Sequence, residues 1–524
     1  MNMLWNGWGD PERATPLPQA VAGLLRELLG VEPAAHPPVA LADVAVAPSR
    51  LTDGLLAALT AVTQVRTDDE TRVRRTRGKS TPDLMRMRDG EAADAPDAVL
   101  LPASHDEVLA ALRVCAEHGV AVVPFGGGTS VVGGLTPRTT GCRVALDLRR
   151  LNGMTSLDPV SRTAVLQAGL RAPEAERLLA AEGFTLGHFP QSFEWATIGG
   201  FAATRGSGQA SAGYGRFDDM VVALTAATPR GTLDTGRAPR SAAGPDLRQL
   251  LLGSEGAFGV ITSVTVRVRP LPRERRYEGW RFASFAEGTR AMRSLAQDGP
   301  LPTVLRLSDE TETMVGLARP QSIAESAGAA GCLLLAGYEG DAARTEDLRA
   351  RTHEALRGLG GEPLGDEPGE QWAQGRFDAP YLRDSLLGAG AFAETLETAT
   401  FWSNIPALYT AVRDALTATL TAAGTPPLVM CHISHVYETG ASLYFTVVCA
   451  QGKDDPLAHW DTAKRAANDA ILAAGGTISH HHGVGTDHRP WYEREAGDLG
   501  TQTLRAVKAA LDPQGILNPG VLVP

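Results

Sequence analysis

Val122-Val-Pro-Phe-Gly-Gly-Gly-Thr-Ser-Val-Val-Gly-Gly-Leu135 is the stretch on which the reading of this chain turns. Five glycines in the nine residues 126–134 directly follow a short apolar run. Ahead of it, residues 106–118 carry apolar side chains at helical spacing, and Gly119 supplies a C-terminal stop. The local order is helix, strand, glycine loop. With no Cβ at Gly126, Gly127 or Gly128, successive backbone N–H groups can turn toward one anion and approach a diphosphate closely. Thr129 and Ser130 add hydroxyl donors. A Walker A loop needs Gly-Lys-Ser/Thr after its spacer, and no lysine lies between Lys79 and Lys453. The dinucleotide fingerprint needs an immediate helix and an acidic residue about twenty positions on. Here the chain runs through Gly133-Gly134 and Pro137 into a second apolar strand, residues 143–148. A glycine-rich hairpin without a ligand is the plain alternative.

Around this loop the chain has 524 residues, too many for one ordinary core, which sets an expectation of two or three domains. With 43% apolar and 21% charged residues it is globular, and a net charge of −11 argues against a general nucleic-acid binder. The one basic block, residues 72–79, reads as a solvated or cofactor-facing loop. Five scattered cysteines with no C-x-x-C pair indicate neither a disulfide framework nor a structural zinc site. No apolar run reaches the roughly eighteen residues of a membrane span, and no signal peptide or Ser-Lys-Leu ending is evident. A cytoplasmic protein is expected, with peripheral membrane contact left open.

Before the glycine loop, residues 1–90 read as an N-terminal helical extension, with Trp5 and Trp8 suited to docking on another surface. Beyond it, two further glycine elements appear. Thr197 can cap a helix whose first turn holds Gly199 and Gly200, where free N–H groups favour an anion. Gly253-Ser-Glu-Gly-Ala-Phe-Gly-Val-Ile leads into an alternating strand. Three glycine loops in one region suggest that an extended ligand is wrapped, a dinucleotide rather than a lone phosphate. After Pro272 strands and helices alternate as in a separate α+β core. Arg383 stands beside Asp384 near a helix start, where an ordinary ion pair is the simplest reading. The hairpin of residues 430–450 holds His432, His435, Tyr437 and Tyr444. Three consecutive histidines, His480, His481 and His482, cannot all face one way, so a zinc site from that run alone is geometrically poor and no metal is expected. Histidines can instead bind anions and move protons near neutral pH.

Pro124-Phe-Gly-Gly-Gly-Thr-Ser, Thr197-Ile-Gly-Gly, Tyr214-Gly with Asp218-Asp219, and the element from Gly253 to Ile261 together resemble the FAD-binding domain of the vanillyl-alcohol oxidase and p-cresol methylhydroxylase type. The resemblance implies an α+β architecture: a two-subdomain FAD-binding domain over residues 91–272, an α+β substrate-binding cap over 273–450, and a segment 451–524 completing cap and flavin site. It assigns FAD contacts to Pro124, Phe125, Gly126, Gly127, Gly128, Thr129, Ser130, Gln191, Ser192, Thr197, Gly200, Thr204, Arg205, Ser207, Glu255, Gly256, Gly259, Val260 and Ile261.

Nearly the whole chain is further similar to the alkylglycerone-phosphate (alkyldihydroxyacetonephosphate) synthase family. The shared pieces include Leu4-Trp-Asn-Gly-Trp-Gly, Gly187-His-Phe-Pro, Leu305-Arg-Leu, Tyr381-Leu-Arg-Asp, Tyr437-Glu-Thr-Gly-Ala-Ser-Leu-Tyr-Phe and Ser479-His-His-His-Gly-Val-Gly. The resemblance implies a transferase that exchanges the acyl chain of an acyl-dihydroxyacetone phosphate for a fatty alcohol in ether-lipid synthesis, without net oxidation. Its substrates would be a lipid phosphate and a fatty alcohol, and a homodimer is left open. Carried over by motif, Tyr444 is the acid/base, Arg383 holds the phosphate, Arg306 supports the site, and His480, His481 and His482 form the catalytic environment. The chain departs from the family at Gln191, at Thr204-Arg-Gly and at the ending Ile516-Leu-Asn-Pro-Gly. An FAD-dependent oxidase or dehydrogenase of a 2-hydroxy acid or related alcohol is the alternative.

Relatives that attach FAD through this loop use a histidine near its end, where Thr129 and Ser130 stand here. The purified protein is therefore expected to be yellow and to release FAD on denaturation. Flavin that precipitates with the chain would refute non-covalent binding.

Overall fold

The structure is a computed structural model and describes residues 2–34, 36–316, 331–452 and 454–523. As the sequence places them, the helix His105–His118, closed by Gly119 at φ 63°, leads into the strand Ala121–Phe125, and the glycine loop follows that strand. That strand pairs in parallel with Arg143–Asp147, so the loop is the crossover of a parallel pair and the hairpin alternative does not hold. A hairpin would need antiparallel neighbours. The pair belongs to a four-stranded sheet with Gln64–Arg66 and Ala98–Leu101. Beside it stands a five-stranded antiparallel sheet of Met154–Asp158, Thr163–Gln167, Val260–Arg267, Val221–Thr228 and Gly231–Thr235. The two sheets share one continuous apolar core.

A seven-stranded antiparallel sheet forms the second body. Its order is Glu362–Gly365, Glu274–Phe282, Cys332–Gly340, Val304–Ser308, Leu428–Ile433, Gly440–Ala450 and Ala391–Phe401. Side chains alternate between faces every residue. On one face Leu305, Leu307, Leu334, Ala336, Cys431, Ile433, Leu443 and Phe445 build an apolar core with residues from the helices Phe285–Asp298, Ala342–Gly358, Ile405–Ala422 and Pro456–Ala473. The intervening Arg306, Leu335, His432, Tyr444 and Thr446 line a cavity that the first body closes.

The N-terminal tryptophans dock as expected, within the molecule. Trp8 is buried with Trp195 and Tyr381, one from each body, and Trp5 packs with Leu84 and Leu387. The Trp8 N–H donates to Asp384, and Arg13 reaches both Glu194 (2.5 Å) and Asp378 (2.7 Å). The chain end is also tied in. Leu517 bridges in parallel to Val122, and Asn518 Nδ2 donates to the carbonyls of Gly134 (3.0 Å) and Glu255 (2.7 Å).

The expectation of a solvated basic loop at residues 72–79 is corrected. Arg72, Arg75, Arg77 and Lys79 are all buried. Arg72 donates to the carbonyls of Pro96 and Ala47, Arg77 pairs with Asp94 (2.6 Å), and Lys79 Nζ holds the carbonyls of Leu4 (2.9 Å) and Trp5 (2.8 Å). A charge run is buried here because each cation finds a partner on a different segment, which periodicity cannot show. Arg75 pairs with Asp147 at 3.0 Å, and neither side chain exceeds 5% exposure. Burial pushes the Asp147 carboxyl up to about 6, opposed by Arg75.

Arg75→Met should leave Asp147 buried without its buried ion-pair partner, the half-exposed Arg149 remaining beside it. Removing one member of a buried pair costs about 3–5 kcal/mol. The Asp147 pKa rises further, and a group raised in the folded state destabilises increasingly as pH climbs above its unfolded value of about 3.9. Urea unfolding should therefore show a larger loss at pH 8 than at pH 5. Equal losses at both would assign the effect to packing of the Arg75 stem.

Candidate functional site

Between the two bodies lies a cavity of about 440 Å³. Its flavin-side wall begins with the glycine loop. A Cβ on Gly127 would come within 2.2 Å of the Trp195 carbonyl oxygen, and Gly128 has φ +71° with the Phe125 ring 2.6 Å from where its Cβ would stand. Gly127 is therefore fixed by close packing of two backbones as well as by its place in the cradle. The N–H groups of Gly126, Gly127, Gly128, Thr129 and Ser130 meet no acceptor among the described residues. Thr197 caps the helix Ile198–Thr204 through the Gly200 N–H at 3.3 Å. Gln191 Nε2 is buried without a partner and its residue faces the same space. Free donors, a cradle that a Cβ would fill and an orphaned amide suit a diphosphate and a polar ring edge, so the residues present fit FAD.

Of the positions expected to hold FAD, Pro124, Phe125, Gly126, Gly127, Gly128, Thr129, Ser130, Gln191, Ser192, Thr197, Gly200, Thr204, Ser207, Glu255, Gly256, Gly259 and Ile261 line the cavity. Arg205 and Val260 do not. Arg205 ends its helix in the left-handed conformation and donates to the Leu252 carbonyl and to Gln249, while Val260 is buried in the apolar core. Glu255 has a structural task as well, since its carboxylate accepts from the N–H of Val484 (2.9 Å) and Gly485 (2.7 Å). Burial pushes its pKa up to about 7 against those two bonds.

On the opposite wall, strand register sets Ser308, His432, Tyr444 and Glu397 in one row across four strands. Tyr444 stacks on His432 with ring centroids 4.7 Å apart and meets His482 edge-on at 5.6 Å. Burial raises the Tyr444 hydroxyl to about 12, so it is a protonated phenol at neutral pH. Arg306 reaches Glu312 (2.5 Å) and His432 Nδ1 (3.0 Å). Arg383 also lines the cavity, and the simple ion pair is present: Nη2 lies 3.1 Å from Asp384 Oδ1, and Nη1 donates to the Lys79 carbonyl at 2.6 Å.

The three histidines form no helix or strand. Glu397, fully buried on the strand Ala391–Phe401, accepts from the N–H groups of His480 (2.8 Å), His481 (3.2 Å) and His482 (2.9 Å) and from the Ser479 hydroxyl (2.6 Å). Burial opposes its charge, yet the contact with His481 above all holds it well below the usual carboxylate range. His481 and His482 line the cavity, whereas His480 stands behind them. His480 Nε2 lies 2.5 Å from the Tyr437 hydroxyl, and its Nδ1 lies 3.1 Å from His481 Nδ1. Tyr437 also lines a surface groove, so these contacts run from the outside to the cavity. Burial lowers His480 well below its ordinary value and His482 to about 3, leaving both neutral. His435, His480 and His481 place ring nitrogens within 4.8 Å of one another. Those nitrogens already meet protein groups: His435 Nδ1 is 2.7 Å from the Ser211 hydroxyl and 3.0 Å from that of Ser207.

Glu397, Glu312, His435, Arg376 and Trp8 were not singled out as site residues from sequence. The available sign of Glu397 is a pair of carboxylates, Glu394 and Glu397, inside the otherwise apolar or hydroxyl-bearing run Ala391-Phe-Ala-Glu-Thr-Leu-Glu-Thr-Ala-Thr, positions to which periodicity alone assigns no partner.

Two family models match the chain, the FAD binding domain over residues 96–236 and the C-terminal domain of FAD linked oxidases over residues 271–522. The alkyldihydroxyacetonephosphate synthase of Trypanosoma brucei brucei is 35% identical, covering 88% of this chain and 78% of its own. That of Dictyostelium discoideum is 32% identical, covering 99% and 93%. A solved alkyldihydroxyacetonephosphate synthase structure superposes with TM-score 0.84 at 30% identity, over 99% of this chain and 98% of that one. Substrate-bound p-cresol methylhydroxylase, at 16% identity and TM-score 0.69 over 91% of this chain and 98% of its own, shares the fold. Among the described residues no helix is long and apolar enough to cross a membrane.

Glu397→Gln should release the histidine loop. Because Glu397 is depressed in the folded state, its stabilisation is present above the unfolded carboxyl pKa of about 4.3 and is lost as pH falls below it. The variant should be less stable than the parent at pH 7, by about 1–3 kcal/mol for hydrogen bonds to a charged acceptor, and the gap should narrow below pH 4. A pH-independent difference would contradict a charged Glu397.

Proposed function

Because this chain belongs to the alkyldihydroxyacetonephosphate synthase family, we propose that it exchanges the acyl chain of an acyl-dihydroxyacetone phosphate for a fatty alcohol, with FAD as its cofactor. The observation that carries this reading is one cavity lined by the glycine cradle together with Tyr444, Arg383, Arg306, His481 and His482. FAD, when bound, supplies the ring that activates the substrate carbon. We assign residues 91–272 to holding it, 273–450 to the substrate wall, 451–524 to closing both, and 1–90 to an N-terminal strap.

Within that division Arg383 binds the phosphate with the hydrogens its bonds to Asp384 and Lys79 leave over, and the ion pair preorganises its planar fork. Arg306, neutralised by Glu312, orients His432 against Tyr444. With its hydroxyl protonated, Tyr444 acts first as a donor at the substrate carbonyl. To accept the proton beside that carbonyl it must first give up its own, and the imidazoles of His432 and His482 are the rings packed against it. The contacts His481, His480 and Tyr437 give the proton a way to solvent. Leu382, Leu386, Met430 and Val448 line part of the same cavity and offer an apolar surface to an aliphatic chain. Both chains of the exchange partition into bilayers, so peripheral contact with a membrane fits this substrate class. The oxidase or dehydrogenase reading draws less support, since relatives at 32% and 35% identity carry the synthase name.

Tyr444→Phe keeps the ring between Leu443 and Phe445, whose own side chains pack in the core behind. The variant should fold and hold FAD while losing roughly 10²- to 10⁴-fold in turnover, the usual contribution of one positioned acid or base. Exchange of the proton beside the carbonyl with solvent should fall in parallel. Near-normal turnover and proton exchange would remove Tyr444 from the chemistry.

A further inference from the structure

We infer that Arg376 is the binding group for a long-chain carboxylate, the acyl fragment released in the proposed exchange. The source of that carboxylate rests on the synthase reading, whereas the site itself stands on geometry. Arg376 lies between the helices Glu367–Gly375 and Ala379–Gly388 and lines the cavity. Its guanidinium sits over three aromatic rings, Trp372 at 5.0 Å, Phe189 at 5.2 Å and Phe377 at 5.2 Å. Nε donates to Gln209 Oε1 at 2.6 Å, and Gln209 Nε2 returns a bond to the Arg376 carbonyl at 2.9 Å. The group is thus held rigidly from several sides.

What it lacks is an anion. Nη2 is out of contact with solvent and has no hydrogen-bond partner among the described residues. The two other arginines on the wall are each neutralised, Arg306 by Glu312 and Arg383 by Asp384. Near Arg376 the acidic group is Glu339, whose oxygens accept from the Tyr277 and Tyr214 hydroxyls, each at 2.7 Å. Burial lowers the Arg376 pKa, partly offset by Tyr277 and Glu339, as expected for a cation removed from water without a paired carboxylate. A half-buried cation without a paired carboxylate is stabilised by an anion that enters the cavity beside it.

Its surroundings select the partner. Trp372 packs with Leu335 and Leu333, and all three line the cavity beside Arg376, giving an apolar channel with one cation at its side. An aliphatic chain ending in a carboxylate matches that pattern, and a planar two-oxygen head matches the guanidinium fork. Gln209 lies between Ser207 and Ser211, the two hydroxyls that meet His435, so the cation is joined to the reacting end of the cavity. In the exchange the bond between the substrate carbon and the acyl oxygen breaks with both electrons on oxygen, and the acyl group leaves as a carboxylate. The alcohol oxygen bonds to that carbon and gives its proton to the carboxylate or to solvent. No oxidant or reductant is consumed. Pairing the departing charge with Arg376 favours that bond cleavage.

The test compares palmitate with hexadecanol, equal in length and differing in charge, on the flavin-loaded full chain and on its Arg376→Met and Arg376→Gln variants. Calorimetry should show palmitate bound about ten- to a hundredfold more weakly by both variants, the range of one charge-assisted hydrogen bond. Hexadecanol affinity and flavin content should stay within twofold. Unchanged palmitate affinity in a folded variant, or equal losses for palmitate and hexadecanol, would overturn the site. A second arm follows labelled palmitate washing back into the acyl substrate, which should slow in the variants. Slower binding-dependent wash-in identifies the leaving acyl group as the source. Arg376-dependent binding with unchanged wash-in would overturn that source. If the parent shows no wash-in at all, the synthase reading fails while the binding arm still decides the carboxylate site.

Discussion

Successive residues of a strand point to opposite faces, and in the seven-stranded sheet this single geometric fact gives one surface two uses. Leu305, Leu307, Cys431, Ile433, Leu443 and Phe445 turn one way into an apolar core. Arg306, His432, Tyr444 and Thr446, each flanked by those core residues, turn the other way into the cavity. A slip of one residue would put charges into the core and leave the cavity greasy, so burial of the core face fixes the register that assembles the site. The row Ser308, His432, Tyr444 and Glu397 is a consequence of that register across four strands.

The second dependence is electrostatic. The site is built from buried charges held by partners elsewhere in the chain: Glu397 by the N–H groups of the histidine loop, Arg306 by Glu312, Arg383 by the Lys79 carbonyl beside its neighbour Asp384, Glu255 by the loop after the histidines. These contacts hold both the flavin cradle and the substrate wall to the C-terminal segment. They also preset protonation. Burial keeps the imidazoles of His480 and His482 neutral and the Tyr444 phenol protonated, so the protonation states are set before any substrate arrives. Arg376 stands apart because among the described residues no carboxylate forms an ion pair with it.

Much of the fold was readable because local chemistry and tertiary structure agree. The helix before the glycine loop and the hairpin carrying Tyr444 between two core residues follow from period and turn residues. What sequence could not reveal was pairing at long range. The basic run 72–79 looked solvated because its partners, Asp147, Asp94 and the carbonyls of Leu4 and Trp5, come from segments distant in the chain. Arg205 fell in a motif shared with flavin-binding relatives, yet its side chain closes a turn with Leu252 and Gln249. His480 belongs to the triple histidine but stands behind its neighbours, since consecutive residues cannot share one direction. Glu397 escaped notice because a carboxylate within a strand signals nothing until the loop it organises is folded against it.

The central claim is that this cavity exchanges an acyl for an alkyl chain without net oxidation. Its most direct measurement is made without oxygen and without any electron acceptor, mixing the flavin-loaded protein with an acyl-dihydroxyacetone phosphate and labelled hexadecanol. The account predicts repeated turnover, with labelled ether product formed in step with release of the fatty carboxylate. Flavin that bleaches on mixing and stays reduced until an acceptor is added, with no labelled ether formed, would contradict it.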